Sequence, residues 1–181
     1  MTFKTLTLAM LATLAVAATS RAKAPDPENT LILQLTTGRV VIEMRPDLAP
    51  KHVARIKELV RQHFYDGTPF HRVIEGFMAQ GGDPTGTGTG GSGVKLPAEF
   101  SQEKHVRGTV SMARAADPNS ADSQFFIVFQ PAPWLDGKYT IWGNVIEGMD
   151  AVDKLKRGTG ANGIVSNPDK IISARIAADN P

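Results

Sequence analysis

Most apolar runs after residue 30 are only four to seven residues long, and Gly, Pro and Asp clusters stand between them. That rhythm limits the fold more than any other feature, because short runs bounded by turn residues read as strands. The 17 glycines and 12 prolines in 181 residues supply the turns. Leu31, Leu33 and Leu35 alternate with Ile32 and Gln34, while Val40, Ile42 and Met44 alternate with Val41 and Glu43. Thr36-Thr37-Gly38-Arg39 joins the two runs, so the start of the domain reads as a β-hairpin. Further strands are expected over Phe70–Ile74, Phe77–Gln80, Thr109–Met112, Gln124–Phe129, Tyr139–Val145 and Lys170–Ile176.

Two segments break the pattern. From about Pro50 to His63, proline sits in the first turn and Val53, Ile56, Leu59, Val60 and Phe64 fall on one face, as in an amphipathic helix. A shorter helix is expected from Met149 to Lys156, closed by Arg157-Gly158. Eight short strands and two helices in one domain make the expected class mainly β, a closed eight-stranded antiparallel barrel capped by the helices. No repeat of 20–50 residues is visible.

The N-terminus has a different character. Lys4 precedes a mostly apolar run from Leu6 to Ala18, and Thr19-Ser20-Arg21-Ala22-Lys23-Ala24 follows with small residues. Residues 1–24 therefore read as a secretory signal peptide, cut near 22–24. The apolar run is too short to span a bilayer as a permanent anchor. Residues 25–28 are then a polar linker and 29–178 the domain.

Composition removes several function classes. There is no cysteine, so disulfide frameworks, thiolate metal sites and a cysteine nucleophile are all excluded. The formal charge of +2 owes three lysines and arginines to residues 1–24; without them 17 basic residues face 18 acidic ones. That balance gives no support for nucleic-acid binding.

Three motifs fail on context. Gly88-x-Gly90-x-x-Gly93 matches the dinucleotide fingerprint, but Val94-Lys95-Leu96-Pro97 follows instead of a helix. His52, His63, His71 and His105 lack metal-ligand spacing. Ser111 or Ser123 would need a histidine partner to act as a nucleophile, and no nucleophile elbow is present. More unusual is Arg72 set among aromatic and thioether residues between Phe70 and Gly82. Alternation puts Phe70, Arg72 and Ile74 on one face there, with His71 and Val73 on the other.

The run Tyr65-Asp66-Gly67-Thr68-Pro69-Phe70-His71-Arg72-Val73-Ile74-Glu75-Gly76-Phe77-Met78-Ala79-Gln80-Gly81-Gly82-Asp83 closely resembles the signature of the cyclophilins, the peptidyl-prolyl cis–trans isomerases. The resemblance continues through Gly88-Thr89-Gly90-Gly91 and Gly108-Thr109-Val110-Ser111-Met112-Ala113. It returns in Ser123-Gln124-Phe125-Phe126 and Trp134-Leu135-Asp136-Gly137, and so spans residues 30–177.

This resemblance implies an eight-stranded barrel whose active site lies outside the lumen. Arg72 would be the catalytic arginine, oriented by Gln80. Phe77, Met78, Phe126 and Leu135 would line a proline pocket, and Ala113 and Gln124 would border the substrate groove. His71 and Trp134 would complete the rim. Tyr139 stands where the family often has histidine, and Arg114 stands where many eukaryotic members have asparagine, as in the bacterial exported branch. No cofactor or metal is implied. The implied partners are proline-containing peptides, unfolded exported proteins and the macrocyclic inhibitor cyclosporin. The periplasm is the implied compartment, with secretion as the second choice. The alternative is a protein that holds proline-containing segments of unfolded exported proteins without turning them over.

Overall fold

The computed structural model describes residues 24–179; the segment read as a signal peptide lies almost wholly outside that range. The eight strands are β1 (Thr30–Leu35), β2 (Gly38–Met44), β3 (Arg72–Ile74), β4 (Met78–Gly81), β5 (Thr109–Met112), β6 (Phe125–Val128), β7 (Ile141–Glu147) and β8 (Ile171–Ile176). The helices are α1 (Pro50–Arg61) and α2 (Met149–Asp153). All neighbouring strands run antiparallel, in the order β3-β4-β6-β5-β7-β2-β1-β8.

The expected barrel does not close. The sheet curls into a half-barrel, and its edge strands β3 and β8 are not ladder partners; a lone bridge, Pro69 to Lys170, spans the gap. Backbone bonds do cross there, from the Phe70 N–H to the Asp169 carbonyl and from the Ile171 N–H to the Thr68 carbonyl, both at 2.9 Å. But β3 begins only at Arg72 and is three residues long, so the pairing does not grow into a ladder. A late loop satisfies the edge instead: Val73 N–H donates to the Gly163 carbonyl at 2.8 Å, and Gly158 N–H to the Val73 carbonyl at 2.9 Å.

The hairpin follows its alternation. Leu31, Leu33, Leu35, Val40, Ile42 and Met44 all enter the main core. In β6 the same alternation sends Phe125 inward and Phe126 outward. Phe125 collects edge-on contacts from Tyr65 at 5.8 Å, Phe70 at 6.3 Å and Trp142 at 5.8 Å. Burying each such side chain contributes roughly 1.5–3 kcal/mol.

Helix α1 buries Val53, Ile56, Leu59 and Val60 as the spacing predicts. Ala49 offers no side-chain cap. The Glu99 carboxylate fills that role from a distance, accepting from the N–H groups of Lys51 and His52 at 3.1 Å each. The helix ends two residues before the expected His63, which takes a left-handed φ of 57°. Helix α2 stops at Asp153 instead of Lys156, because the Lys156 N–H turns to the Asp169 carboxylate at 2.8 Å.

One face assignment is overturned. Strand β3 begins at Arg72, so the alternation cannot be counted from Phe70. Phe70 instead joins Val73 in the main core, both 1% exposed.

Candidate active site

Directly opposed residues in an antiparallel ladder project from the same face. Arg72 opposes Gln80, Gln80 opposes Phe126, and Phe126 opposes Ser111. These four form a row across β3, β4, β6 and β5 on the outer face of the sheet. A parallel row two residues along runs from Ile74 through Met78 to Val128. The outer face thus carries its own apolar cluster of Met78, Phe126, Val128, Ala132 and Leu135, with Phe77, Ala113 and Tyr139 packed against it.

A pocket of about 190 Å³ opens on this cluster. It is lined by Arg72, Phe77, Met78, Gln80, Ala113, Arg114, Phe126, Leu135 and Tyr139. The structure therefore gathers eight of the expected site residues around one cavity: Arg72, Phe77, Met78, Gln80, Ala113, Phe126, Leu135 and Tyr139. Gln124 lines an adjoining hollow that shares Gln80, Ala113 and Arg114 with the pocket. Trp134 stands outside the lining, 57% exposed, with its ring 5.6 Å from Phe77. His71 is not at the rim. It is 4% exposed, and a Cβ on Gly88 would stand 3.5 Å from its Nε2. Burial pushes this imidazole below its ordinary pKa.

The guanidinium of Arg72 is held from two sides. Nη1 donates to Gln80 Oε1 at 3.1 Å, and Nε donates to the Asn162 carbonyl at 2.9 Å. Gln80 Nε2 donates in turn to Gln124 Oε1 at 2.9 Å. Gln124 Nε2 donates to the carbonyls of Gly88 at 3.0 Å and Gly90 at 2.8 Å. Such a chain fixes both amide orientations and the plane of the guanidinium. The Asn162 contact was not expected from sequence. It comes from the backbone of a loop 90 residues away.

The pocket wall is stiff. Phe126 and Tyr139 meet edge to face at 5.9 Å, and the Arg114 guanidinium lies 4.5 Å above the Tyr139 ring. Arg114 also donates to the carbonyls of Ala115, Ala116 and Lys138. Beneath Phe126, His105 lies nearly parallel to it, with centroids 6.2 Å apart.

His105 also forms a Ser–His–Asp line, with Nε2 3.1 Å from Ser111 Oγ and Nδ1 3.1 Å from Asp136 Oδ1. This is no hydrolytic triad. Ser111 is 0% exposed and its hydroxyl donates to the Thr140 carbonyl at 2.9 Å, so no scissile carbonyl can reach it. Ser123, also 0% exposed, donates to the Gly82 carbonyl.

The glycine-rich segment cannot cradle a phosphate either. Its N–H groups already serve the chain's own carboxylates: Gly88 and Gly90 donate to Asp83, and Ser92 and Gly93 to Asp122. Among the described residues no cluster of three His, Asp or Glu side chains is placed to hold a metal ion.

An open apolar pocket beside a pinned guanidinium can take a compact apolar group and offer it a fixed hydrogen-bond donor. Comparison with known proteins gives the family. The family model for cyclophilin type peptidyl-prolyl cis-trans isomerase/CLD matches residues 30–176. A Brucella suis protein described as "Probable peptidyl-prolyl cis-trans isomerase" is 57% identical over 187 residues, covering 96% of this chain and 95% of its own. Cyclophilin AquaCyp293 from Hirschia baltica has a crystal structure that aligns with a TM-score of 0.77 at 33% identity, over 86% of this chain and 76% of that one. A Cryptosporidium parvum cyclophilin type peptidyl-prolyl cis-trans isomerase, crystallised in the presence of the dipeptide Ala-Pro, aligns with a TM-score of 0.76 at 32% identity. That alignment covers 81% of this chain and 98% of the other. A match of this extent, with the pocket and its arginine in place, makes the chain a member of the cyclophilin family of peptidyl-prolyl cis–trans isomerases.

Proposed function

We propose that this isomerase lowers the barrier to X–Pro rotation through Arg72, by electrostatic stabilisation of the twisted amide and with no covalent intermediate. The amide resists rotation because turning it breaks resonance, at a cost of ~18–20 kcal/mol in peptides. Unaided exchange then takes tens to hundreds of seconds. The pocket holds the pyrrolidine ring on Met78, Phe126 and Leu135, which are all at most 7% exposed, while the preceding carbonyl is free to turn. As resonance is lost, the lone pair localises on the proline nitrogen, and a guanidinium N–H can donate to it. Arg72 suits this task because Gln80 and the Asn162 carbonyl fix it before substrate arrives. That preorganisation carries the reading: a donor already aimed costs no rearrangement at the moment of rotation. Apart from the Tyr139 phenol, the pocket lining offers no side chain of a kind that forms covalent intermediates.

The substrates are proline-containing segments of unfolded proteins exported with this one to the periplasm, and the support for the compartment is the N-terminal segment 1–24. Cell fractionation and N-terminal sequencing of the mature protein check this; a cytoplasmic protein that keeps residues 1–24 overturns it. Cyclosporin is expected to bind across exposed Trp134 and Phe77, more weakly than to relatives with histidine at the Tyr139 position. A titration with no inhibition at saturating cyclosporin counts against that.

The activity assignment is tested with a proline peptide whose cis and trans forms are followed with and without the protein. Catalysed exchange at substoichiometric protein supports turnover. A shifted equilibrium at stoichiometric protein, with unchanged exchange below it, would mean holding without catalysis.

A further inference from the structure

We propose that Asp83, a buried carboxylate outside the pocket, is a positioning residue for the Arg72 guanidinium, acting through the Gly88–Gly90 loop and two glutamine side chains. The inference rests on Arg72 being the catalytic arginine.

Asp83 is 0% exposed, and its bonds all go to one loop. Oδ1 accepts from the Thr85 N–H and the Thr85 hydroxyl, both at 2.8 Å. Oδ2 accepts from the N–H groups of Gly88 at 2.6 Å and Gly90 at 3.1 Å. The same two glycines turn their carbonyls the other way, onto Gln124 Nε2. Gln124 holds Gln80, and Gln80 holds Arg72. An unbroken hydrogen-bonded line thus runs from the carboxylate to the guanidinium, and every link uses its donor or acceptor in one sense only.

Two further observations show that the loop is shaped around the carboxylate. A Cβ on Gly90 would collide with Asp83 Oδ1. Gly88 has a φ of +87°, which a residue with a side chain adopts only under strain. Burial on its own would raise the Asp83 pKa, yet the donors from Thr85, Gly90 and Gly88 outweigh it and hold the group at about 2. The carboxylate is therefore charged at every working pH. An asparagine amide at this position would turn an NH₂ group toward backbone N–H groups, and the loop would have to shift away from it.

The experiment is a double-mutant cycle on folded protein, with kcat and KM for a proline peptide measured by exchange NMR. The four proteins are wild type, Asp83→Asn, Arg72→Ala and the double variant. Asp83→Asn is expected to lower kcat about tenfold with KM nearly unchanged, since small displacements of a positioned group are costly. In the Arg72→Ala background the same change should have almost no effect, because there is no guanidinium left to position. Thr85→Val, which removes only one donor from Asp83 Oδ1, is the milder second variant should Asp83→Asn not fold. It is expected to cost about threefold in kcat and to vanish in the same background. In both single variants the side-chain amide resonances of Gln124 and Gln80 should move. An equal factor lost with and without Arg72 overturns the role of Asp83 and leaves Arg72 untouched. An Arg72→Ala protein with near-normal turnover overturns the catalytic assignment itself, whatever Asp83 does.

Discussion

Phe125 and Phe126 are neighbours in one strand with opposite duties. Phe125 points into the main core, 2% exposed, with Tyr65, Phe70 and Trp142 against its ring. Phe126 points out of the sheet, 5% exposed, and forms a pocket wall with Tyr139 across from it. The two are almost equally buried, so burial alone does not tell the stabilising face from the working one. The difference is what surrounds each. The inner ring is enclosed by side chains on all sides, whereas the outer ring faces a cavity and a fixed cation. The curled sheet allows this because its two faces carry separate apolar clusters, one inside and one outside.

Alanine at the two positions should separate the faces most strongly. Phe125→Ala removes the centre of the aromatic cluster and is expected to cost about 3–5 kcal/mol in stability. Phe126→Ala removes a wall that already borders open space, so its cost to stability should be clearly smaller, while KM rises and turnover falls. Denaturant unfolding of both, beside peptide kinetics on the folded fraction, checks the pair. Equal destabilisation would mean that the outer cluster is core after all.

Arg72→Ala tests the outer face by charge alone. Removing one preorganised donor costs ~3–4 kcal/mol in the barrier, or roughly two to three orders of magnitude in turnover. Arg72 lies at the sheet edge and outside both apolar clusters, so the melting temperature should stay near wild type. Arg72→Lys should recover little, since an ammonium cannot reach Gln80 and the Asn162 carbonyl from one planar group. A folded Arg72→Ala protein with more than about a third of wild-type turnover would show that another group carries the chemistry.

Most of this division was legible in the sequence, but unevenly. Hairpin alternation placed Leu31, Leu33, Leu35, Val40, Ile42 and Met44 correctly because both strands are regular and one face is wholly buried. Motif resemblance gathered the pocket residues from four separated segments, which no periodicity could have done. The misplacements have separate causes. Alternation misplaces Phe70 because the count runs through residues that precede the strand, and β3 is too short for that count to hold, whereas the rim position of His71 is carried over from the resemblance. The Asn162 carbonyl leaves no trace in the sequence because every residue has one; only the structure shows this loop so close to β3 that a Cβ on Gly163 would run into Ile74 and the Val73 backbone. Strand number alone suggests a closed barrel, whereas the edge depends on the shortness of β3 and on the late loop that occupies it.

A titration should distinguish the two faces more gently. Burial lowers the pKa values of His52, His71 and His105, with Glu99 and Asp136 opposing it at His52 and His105. Each stays neutral to a lower pH in the folded protein than in the unfolded chain, which takes up protons below ~6.5. Their contribution to stability is therefore full above about 6.5 and is lost as pH falls toward the depressed folded values. Asp83, Glu99 and Asp122 are also held below the usual carboxylate range, so a second loss follows below about 4. Melting temperature should be level from about pH 7 to 9 and begin to fall near 6.5, before any carboxylate titrates. Turnover per folded molecule should stay flat across the same range, because no lining group transfers a proton. A bell-shaped rate profile with level stability would reverse the picture.

The smallest expected effect sharpens the outer face itself. The hollow beside the pocket is lined by Lys95 and Arg114, and its one acidic residue is Asp122. Asp122 is occupied: it accepts from Ser92 and Gly93, and Lys95 stands 3.4 Å away. Arg114 donates only to carbonyls, and among the described residues no carboxylate pairs with it. Hydrogen bonds to carbonyls orient a guanidinium but leave its charge in place. With Arg72 beside it, the groove is cationic, and a peptide leaving the pocket on the Gln80–Ala113 side passes through that field. Peptides with glutamate within two residues of the proline should therefore turn over faster than their lysine counterparts. Because the site is open to water, the preference should be modest, about threefold to fivefold, in line with the ~1 kcal/mol that exposed charges reach. Half-molar salt should shrink it, since screening then acts within a few ångströms. Arg114→Gln should remove most of the preference, while any loosening of the Tyr139 wall should slow the glutamate, lysine and uncharged peptides by the same factor. Glutamate and lysine peptides with equal kcat/KM at low salt would show that the outer face selects by shape and not by charge.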